Sequence, residues 1–181
     1  MASLFFRRLC WLIVTQVDQP FRSPGDQEVR RLAEELINQQ STMTLATARE
    51  SVAWAAPVYY VLFRSVFYFF SDPKSRHILE SMEGEQVSAA IYPSVTGWRE
   101  IRGIQMSGLI QQMSPGLEAI QAIRAYLKKF PFTKEFFDSH QPLNLENFGK
   151  RFRVKLYKFS PALVFYLDNR IRFGFRAETK L

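Results

Sequence analysis

The sequence predicts a mainly β (α+β) domain, a small antiparallel barrel of six strands with peripheral helices. Aromatic residues make up 15% of the chain, with 17 Phe among 181 residues, and they favour the pleated, half-buried surface of a sheet. Six runs rich in β-branched and aromatic residues follow one another along the chain. Helical patterns stand only before the first strand, after the third and after the fifth, an order that suits a barrel.

The first helix follows the turn-forming segment Ser23-Pro24-Gly25-Asp26. Apolar residues then recur at helical spacing, with Arg and Glu on the opposite face. These apolar residues are Val29, Leu32, Ala33, Leu36 and Ile37. The pattern predicts an amphipathic helix that packs one face on the core.

Four predicted strands follow, at residues 43–48, 55–63, 66–71 and 86–92. Arg64-Ser65 separates the second strand from the third and leaves room only for a tight hairpin turn. Between the third and fourth strands, residues 73–82 predict a short helix that buries Ile78, Leu79 and Met82.

The second half of the chain adds two strands and one helix. A strand is predicted over 101–113, and Ser114-Pro115-Gly116 then opens a helix that Pro131 ends. Its predicted inner face consists of Leu117, Ile120, Ile123 and Leu127. A further turn is predicted over 133–138, and a last strand over 152–167, interrupted by Pro161.

Length and charge predict one domain over residues 26–181 with an N-terminal extension over 1–25. The net charge of +7 divides into +2 for residues 1–25, −1 for 26–140 and +6 for 141–181. A nucleic-acid-binding domain more often spreads basic residues over a face of its core. The distribution therefore favours a local anion site or a basic subunit interface over a nucleic-acid surface.

Cysteine and apolar content predict a cytoplasmic protein without a transmembrane segment. Cys10 is the single cysteine, so no intrachain disulfide can form. The apolar run 9–14 is shorter than the ~7–15 residues of a signal-peptide core and the ~20 residues of a membrane-spanning helix. His77 and His140 lie far apart, and no Cys or carboxylate spacing resembles a metal site.

The junction between the third strand and the short helix is the most informative segment for function. Asp72 suits the N-cap of that helix and Pro73 its first position. The first-turn amides would then point outward without intrahelical partners. Two hydroxyls and two cationic side chains accompany them: Ser71, Lys74, Ser75 and Arg76. This combination suits a phosphate monoester, and the alternative is an ordinary capped helix with solvated charges.

The same segment resembles the pyridoxamine 5′-phosphate oxidase-like split barrels, which bind FMN. The resemblance rests on Val66-Phe67-Tyr68 followed by Ser71, Ser75 and Arg76. Where the family carries Arg-Gln-x-x-x-x-Gly on a later strand, residues 98–108 here contain Arg-Gly-x-Gln-x-x-Gly, which is similar to a branch of small uncharacterised bacterial proteins. The similarity covers about residues 26–170, and its specific part lies within 55–110.

The resemblance implies a six-stranded antiparallel split β-barrel that forms a homodimer, with FMN near the subunit interface. Ser75, Arg76 and the next residue would hold the flavin phosphate, and strand 57–61 would run beside the isoalloxazine edge. Residues around 98–105 would close the site near the dimer interface. The implied cofactor-binding residues are Val58, Tyr59, Tyr60, Ser71, Lys74, Ser75, Arg76, His77, Trp98, Arg102 and Gln105.

For several of these residues a structural role is an open alternative. Tyr59 and Tyr60 point to opposite faces of their strand, so only one of them can face a ligand. Trp98 could stack on a ring or pack on a neighbouring subunit. Gln105 could instead form a cross-strand hydrogen bond.

The chain departs from the family pattern at three positions. His77 replaces the phosphate-binding lysine, Pro57 stands where the oxidases carry Arg, and Gly103 occupies the Gln position. The Arg-x-His pattern near the C-terminus of the vitamin B6 oxidases is also missing. The resemblance therefore implies a flavoprotein that does not oxidise pyridoxine phosphate.

Three functions follow as hypotheses. The first is an FMN-dependent oxidoreductase acting on a small-molecule substrate, with a deazaflavin as another cofactor, because a flavin carries the chemistry itself. The second is a haem-binding or haem-degrading protein on the same barrel, with His77 or His140 as axial ligand. The third is a non-enzymatic module that binds anions or nucleic acid through the basic C-terminal segment.

Overall fold

The computed structural model describes residues 23–82, 84–136 and 153–181. All strand pairings in it are antiparallel, and the predicted mainly β class is confirmed. The elements are α1 (Asp26–Gln39), β1 (Thr42–Arg49), β2 (Val52–Phe63), β3 (Val66–Ser71), α2 (Arg76–Ser81), β4 (Val87–Ile91), a 3-10 turn (Trp98–Glu100), β5 (Arg102–Gln112), α3 (Leu117–Lys129), a second 3-10 segment (Pro131–Phe136), β6 (Lys155–Asp168) and β7 (Arg176–Glu178).

The sheet closes into a ring through its long sixth strand. The strand order is β3-β2-β1-β4-β5-β6-β7, and β3 also pairs with β6. On one edge of β6, β3 pairs with residues 155–159 and β7 pairs with residues 165–167. The six predicted strands therefore form the ring, while β7, at three residues too short for a periodic pattern, was not predicted.

Aromatic side chains fill the inside of the ring. Its largest fully buried side chains include Tyr60, Phe67, Phe69, Tyr157, Phe159 and Tyr166. The predicted apolar face of α1 packs on this interior through Val29, Ala33, Leu36 and Ile37. From α2, Ile78 joins the same core.

The third helix packs outside the ring, and the predicted inner face is confirmed at Ile123 and Leu127 but wrong at Leu117 and Ile120. Its buried residues are Ala119, Ala122, Ile123 and Tyr126. Leu117 and Ile120, by contrast, are 72% and 42% exposed. The alanines allow the helix to lie close to the aromatic outer face of β3, where the Phe70 and Tyr126 rings are 5.1 Å apart.

Two-residue turns connect the first three strands. Arg64 and Ser65 have φ angles of 51° and 63°, which confirms the predicted tight hairpin because such turns need positive φ at both positions. Glu50 and Ser51 make the same turn between β1 and β2, with φ angles of 51° and 65°.

The short helix begins later than predicted. It spans Arg76–Ser81 with Ser75 at its N-cap, so the prediction of Asp72 as N-cap and Pro73 as first helical residue is wrong. The Asp72 side chain accepts the Lys74 amide at 2.7 Å, and the Asp72 carbonyl accepts the amide and hydroxyl of Ser75 at 3.0 and 2.7 Å. These bonds hold residues 72–75 in a turn.

The last strand runs through Pro161 without a break. β6 extends from Lys155 to Asp168, so the predicted interruption is wrong. The pairing of β6 with β5 does shift its register between Ser107 and Gly108. Ser107 pairs with Leu163, and Gly108 pairs with Pro161.

Candidate functional site

Three polar side chains meet where β3 ends and α2 begins. The Ser71 hydroxyl oxygen lies 2.9 Å from His77 Nε2 and 3.1 Å from the Ser75 hydroxyl oxygen. The Ser75 oxygen lies 3.3 Å from the same imidazole nitrogen. Ser71 shares the inward face of β3 with Phe67 and Phe69, so this cluster lies at one end of the barrel interior.

The cluster carries no permanent charge. His77 and Ser71 are only 9% and 8% exposed. Burial lowers the pKa of His77 below its ordinary value of 6.5, although the nearby Glu80 carboxylate acts in the opposite direction. At neutral pH the imidazole therefore acts as a neutral hydrogen-bonding group.

A buried carboxylate fixes the guanidinium of Arg76, the residue that lies between Ser75 and His77 in the chain. Arg76 Nε donates to Glu80 Oε1 at 2.6 Å, and the guanidinium carbon lies 4.8 Å from the centre of the Trp54 ring. The second Glu80 oxygen accepts the Thr47 hydroxyl. Hydrogen bonds from Thr47 and Arg76 hold the pKa of Glu80 below its ordinary value. Within the described chain, the terminal nitrogens of Arg76 make no hydrogen bond.

Thr47, Trp54 and Glu80 were not predicted as part of this site. Glu80 lies one helical turn after Arg76, so the spacing alone could have indicated the ion pair. Trp54 lies on the part of β2 that precedes the predicted strand start. Thr47 lies opposite Trp54 in the β1–β2 hairpin and reaches the site because α2 packs on these two strands; no local sequence signal indicates that contact.

The junction is less electropositive than its sequence suggests. Lys74 is exposed, and its backbone amide is bonded to the Asp72 side chain. Between residues 71 and 80, Lys74 and Arg76 balance Asp72 and Glu80, so the segment has no net charge. Because α2 has only six residues, its dipole adds little attraction for an anion.

The tyrosine pair on β2 divides between core and surface. Tyr60 is completely buried, and its hydroxyl donates to the Ile37 carbonyl at 2.6 Å. Val58, on the same face of the strand, is also buried in this core. Tyr59 is 50% exposed and makes edge contacts with Phe130 and Phe132. Of the two tyrosines, only Tyr59 is therefore accessible from outside the core.

Two of the remaining predicted residues already have partners within the chain. The Trp98 ring, 55% exposed, makes an edge contact with Phe173 at 5.5 Å. Arg102 donates to the Gln39 side chain at 3.2 Å.

Gln105, the last predicted residue, is exposed and lines a groove of about 330 Å³ on the outer side of the sheet. The other groove residues on that side are Thr44, Ala46, Ser88, Ala90, Ser107, Leu163, Phe165 and Arg176. Its floor consists mainly of small side chains, and the Arg176 guanidinium lies 3.9 Å from the centre of the Phe165 ring. The groove can therefore accept a flat group beside Gln105.

Within a single chain, the groove and the polar cluster lie far apart. Ser71 pairs with Lys155 at the start of β6, whereas Gln105 pairs with Phe165. These positions on β6 are ten residues apart, about 33 Å along an extended strand. Ser71, Ser75, Arg76 and His77 thus form one group, and Gln105 lies in another.

Within residues 23–82, 84–136 and 153–181, no three or more His, Cys, Asp or Glu side chains are placed to hold a metal ion. None of the helices in those ranges has both the length and the apolar character needed to span a bilayer. His140 and Cys10 lie outside the described residues.

No model of a known protein family matches the chain. Two curated relatives are similar to it over about three quarters of its length. A UPF0306 protein of Klebsiella pneumoniae (strain 342) is 28% identical over 140 residues, covering 76% of this chain and 84% of the relative. The UPF0306 protein YhbP of Escherichia coli O157:H7 is 26% identical over 141 residues, covering 75% and 82%. These names specify no activity.

Solved structures share the fold at low identity. A putative pyridoxamine 5′-phosphate oxidase from Listeria innocua has a TM-score of 0.58 at 14% identity, covering 77% of this chain and 98% of its own. An FAD-binding protein from Mesorhizobium loti has a TM-score of 0.54 at 18% identity, covering 79% and 94%. A haem-binding protein from Mycobacterium smegmatis has a TM-score of 0.62 at 18% identity, covering 88% and 59%. The split-barrel fold implied by the sequence resemblance is confirmed.

Proposed function

We propose that the protein is a homodimeric FMN-binding flavoprotein of the oxidoreductase type, with the flavin phosphate at the Ser71, Ser75 and Arg76 side chains. The observation that carries this proposal is the convergence of two hydroxyls and an imidazole within 3.3 Å, in a segment whose arginine is held by Glu80. The fold shared with the FAD-binding protein from Mesorhizobium loti supports a flavin as the ligand.

The side chains present fit a phosphate group. The Ser71 hydroxyl can donate to a phosphate oxygen, and the terminal nitrogens of Arg76 are suited to two further charge-assisted bonds. Glu80 binds only Nε and so orients the guanidinium without using its outer donors. A bound flavin would supply hydride or electron transfer, and the protein would bind and orient it.

A second copy of the chain would complete the site. Because the polar cluster and the Gln105 groove lie at positions about 33 Å apart along β6, we assign them to opposite subunits of a dimer. In this arrangement the partner would supply Trp98, Arg102 and Gln105 beside the ring system. The substrate would be a small molecule other than pyridoxine phosphate, in a cytoplasmic protein.

To test the phosphate position, the wild type and the Arg76→Ala variant are titrated with FMN, and binding is measured by flavin fluorescence. Loss of one charge-assisted hydrogen bond should weaken FMN binding by about 1.5–3 kcal/mol, roughly 10- to 150-fold. Arg30→Ala is the matched control, because Arg30 makes the same type of one-turn ion pair with Glu34 on the exposed face of α1. Equal FMN affinity in wild type and Arg76→Ala would contradict the proposed phosphate position.

Haem is the second candidate ligand, because a haem-binding protein shares the fold and the site contains an imidazole. His77 Nε2 already contacts two hydroxyls, which makes it a weaker axial ligand than a free imidazole. Absorption spectra after addition of FMN, a deazaflavin or haem distinguish these ligands. A Soret band that His77→Ala removes would replace the flavin proposal with the haem alternative.

A further inference from the structure

The polar cluster has few hydrogen-bond donors for a phosphate. The Ser75 hydroxyl donates to the Asp72 carbonyl at 2.7 Å, so its single proton is already used. The Ser71 proton can point to a phosphate, to Ser75 or to His77. A neutral imidazole cannot keep its Nε2 contacts with both hydroxyls and also supply a charged donor. Only protonation of His77 therefore gives these three side chains a positively charged N–H donor.

The charged groups around the cluster do not supply the missing donor. On α2 the charges of Arg76 and Glu80 cancel, and Glu80 lies near enough to act on His77. On β1, Arg49 acts on Glu80. Among the described residues, the other titratable groups on the preceding turn and at the adjoining end of β6 are Asp72, Lys74, Lys155 and Tyr157. Asp72, Lys74 and Lys155 are exposed and solvated, so they attract an anion weakly.

We propose that the site binds a dianionic phosphate together with a proton that His77 takes up, so that affinity for a phosphate-bearing ligand falls as the pH rises through neutrality. This inference rests on the proposed function. In the free protein, burial favours the neutral imidazole. A dianion within about 4–6 Å favours the imidazolium, and an imidazolium that donates from Nε2 to the hydroxyls leaves the Ser71 proton for the phosphate.

Calorimetric titration with FMN at pH 7.5, in HEPES and in Tris, measures the uptake. The two buffers differ in ionisation enthalpy, so the difference in observed heat gives the number of protons bound. At this pH the FMN phosphate, whose second pKa is about 6, is already dianionic, and any uptake belongs to the protein. We expect a substantial fraction of one proton per FMN and a dissociation constant that rises several-fold from pH 6.5 to 8.0.

Three controls separate His77 from other sources of protons. Riboflavin lacks the phosphate and should bind without proton uptake. His77→Gln keeps a polar side chain but cannot titrate, so its uptake should disappear. His77→Lys replaces the imidazole with a more basic group and should bind FMN at pH 8.0 more tightly than the wild type. Circular dichroism verifies that each variant is folded.

The outcomes distinguish this inference from the proposed function. FMN binding without proton uptake in the wild type, or uptake that persists in His77→Gln, overturns the role of His77 and leaves the flavin proposal intact. Absence of FMN binding at both pH 6.5 and pH 8.0 overturns both.

Discussion

Gly108→Ala should disrupt a close approach of two backbone segments, β5 and β6. A Cβ atom built on Gly108 would lie 2.2 Å from the Ser160 carbonyl oxygen and 2.8 Å from Pro161 Cα. Both neighbours are backbone atoms of β6, so no side-chain rotation relieves the clash. Increasing the shortest contact from 2.2 Å even to 3.0 Å requires β5 and β6 to separate by 0.8 Å.

The cost has two sources. Overpacking a close contact costs about 1–3 kcal/mol, and separating the strands weakens one or two ladder hydrogen bonds at about 1 kcal/mol each. Together these predict a loss of roughly 2–5 kcal/mol from a folding free energy of about 5–15 kcal/mol. For a protein of this size, each kcal/mol lowers the melting temperature by about 2–4 °C.

Urea denaturation, monitored by circular dichroism, measures this loss in the free energy of unfolding. Gly97→Ala is the matched control, because a Cβ atom there meets nothing within 4 Å and the backbone is extended, with φ of −134°. The control should stay within about 0.5 kcal/mol of the wild type. A Gly108→Ala variant as stable as the control would refute the close approach of β5 to Pro161.

Two further predictions concern the core and the site. Tyr60→Phe removes the hydrogen bond to the Ile37 carbonyl near the end of α1 and should lower the free energy of unfolding by about 1–2 kcal/mol, whereas Tyr59→Phe, at an exposed position, should have no measurable effect in the same denaturation assay. Glu80→Gln keeps the size of the side chain but removes its charge, and should tighten FMN binding about fivefold at pH 7.5; weaker binding in a titration would show that Glu80 acts mainly by positioning the guanidinium.

Much of the fold follows from local patterns. The first helix and the six ring strands are long enough for their periodicity to show, and Arg64-Ser65 leaves room for only one kind of turn. The hydrophobic pattern mispredicts which residues are buried where side-chain size matters more than hydrophobicity. On α3, Leu117 and Ile120 look like core residues, but the sheet accepts the smaller Ala119 and Ala122 because its outer face already carries large aromatic rings.

The site was predictable only as far as it is local. Ser71, Ser75 and His77 lie within seven residues, and a strand followed by a helix brings them together. Thr47 and Trp54 come from other strands, so their contacts with Glu80 and Arg76 depend on the packing of α2 on the β1–β2 hairpin. The start of α2 was mispredicted because the Asp72 side chain caps a turn, a competing use of the same residue type.

The polar cluster is a poor solution if its purpose is only to close the barrel end. Ile78, one residue after His77, shows that α2 can place an apolar side chain in the core. Buried polar groups gain little stability even when they satisfy one another, and an apolar replacement of similar size is often as stable. Ser71 and His77 therefore contribute less to folding than apolar residues could. Under the proposed function, a bound anion accounts for these two side chains better than packing does.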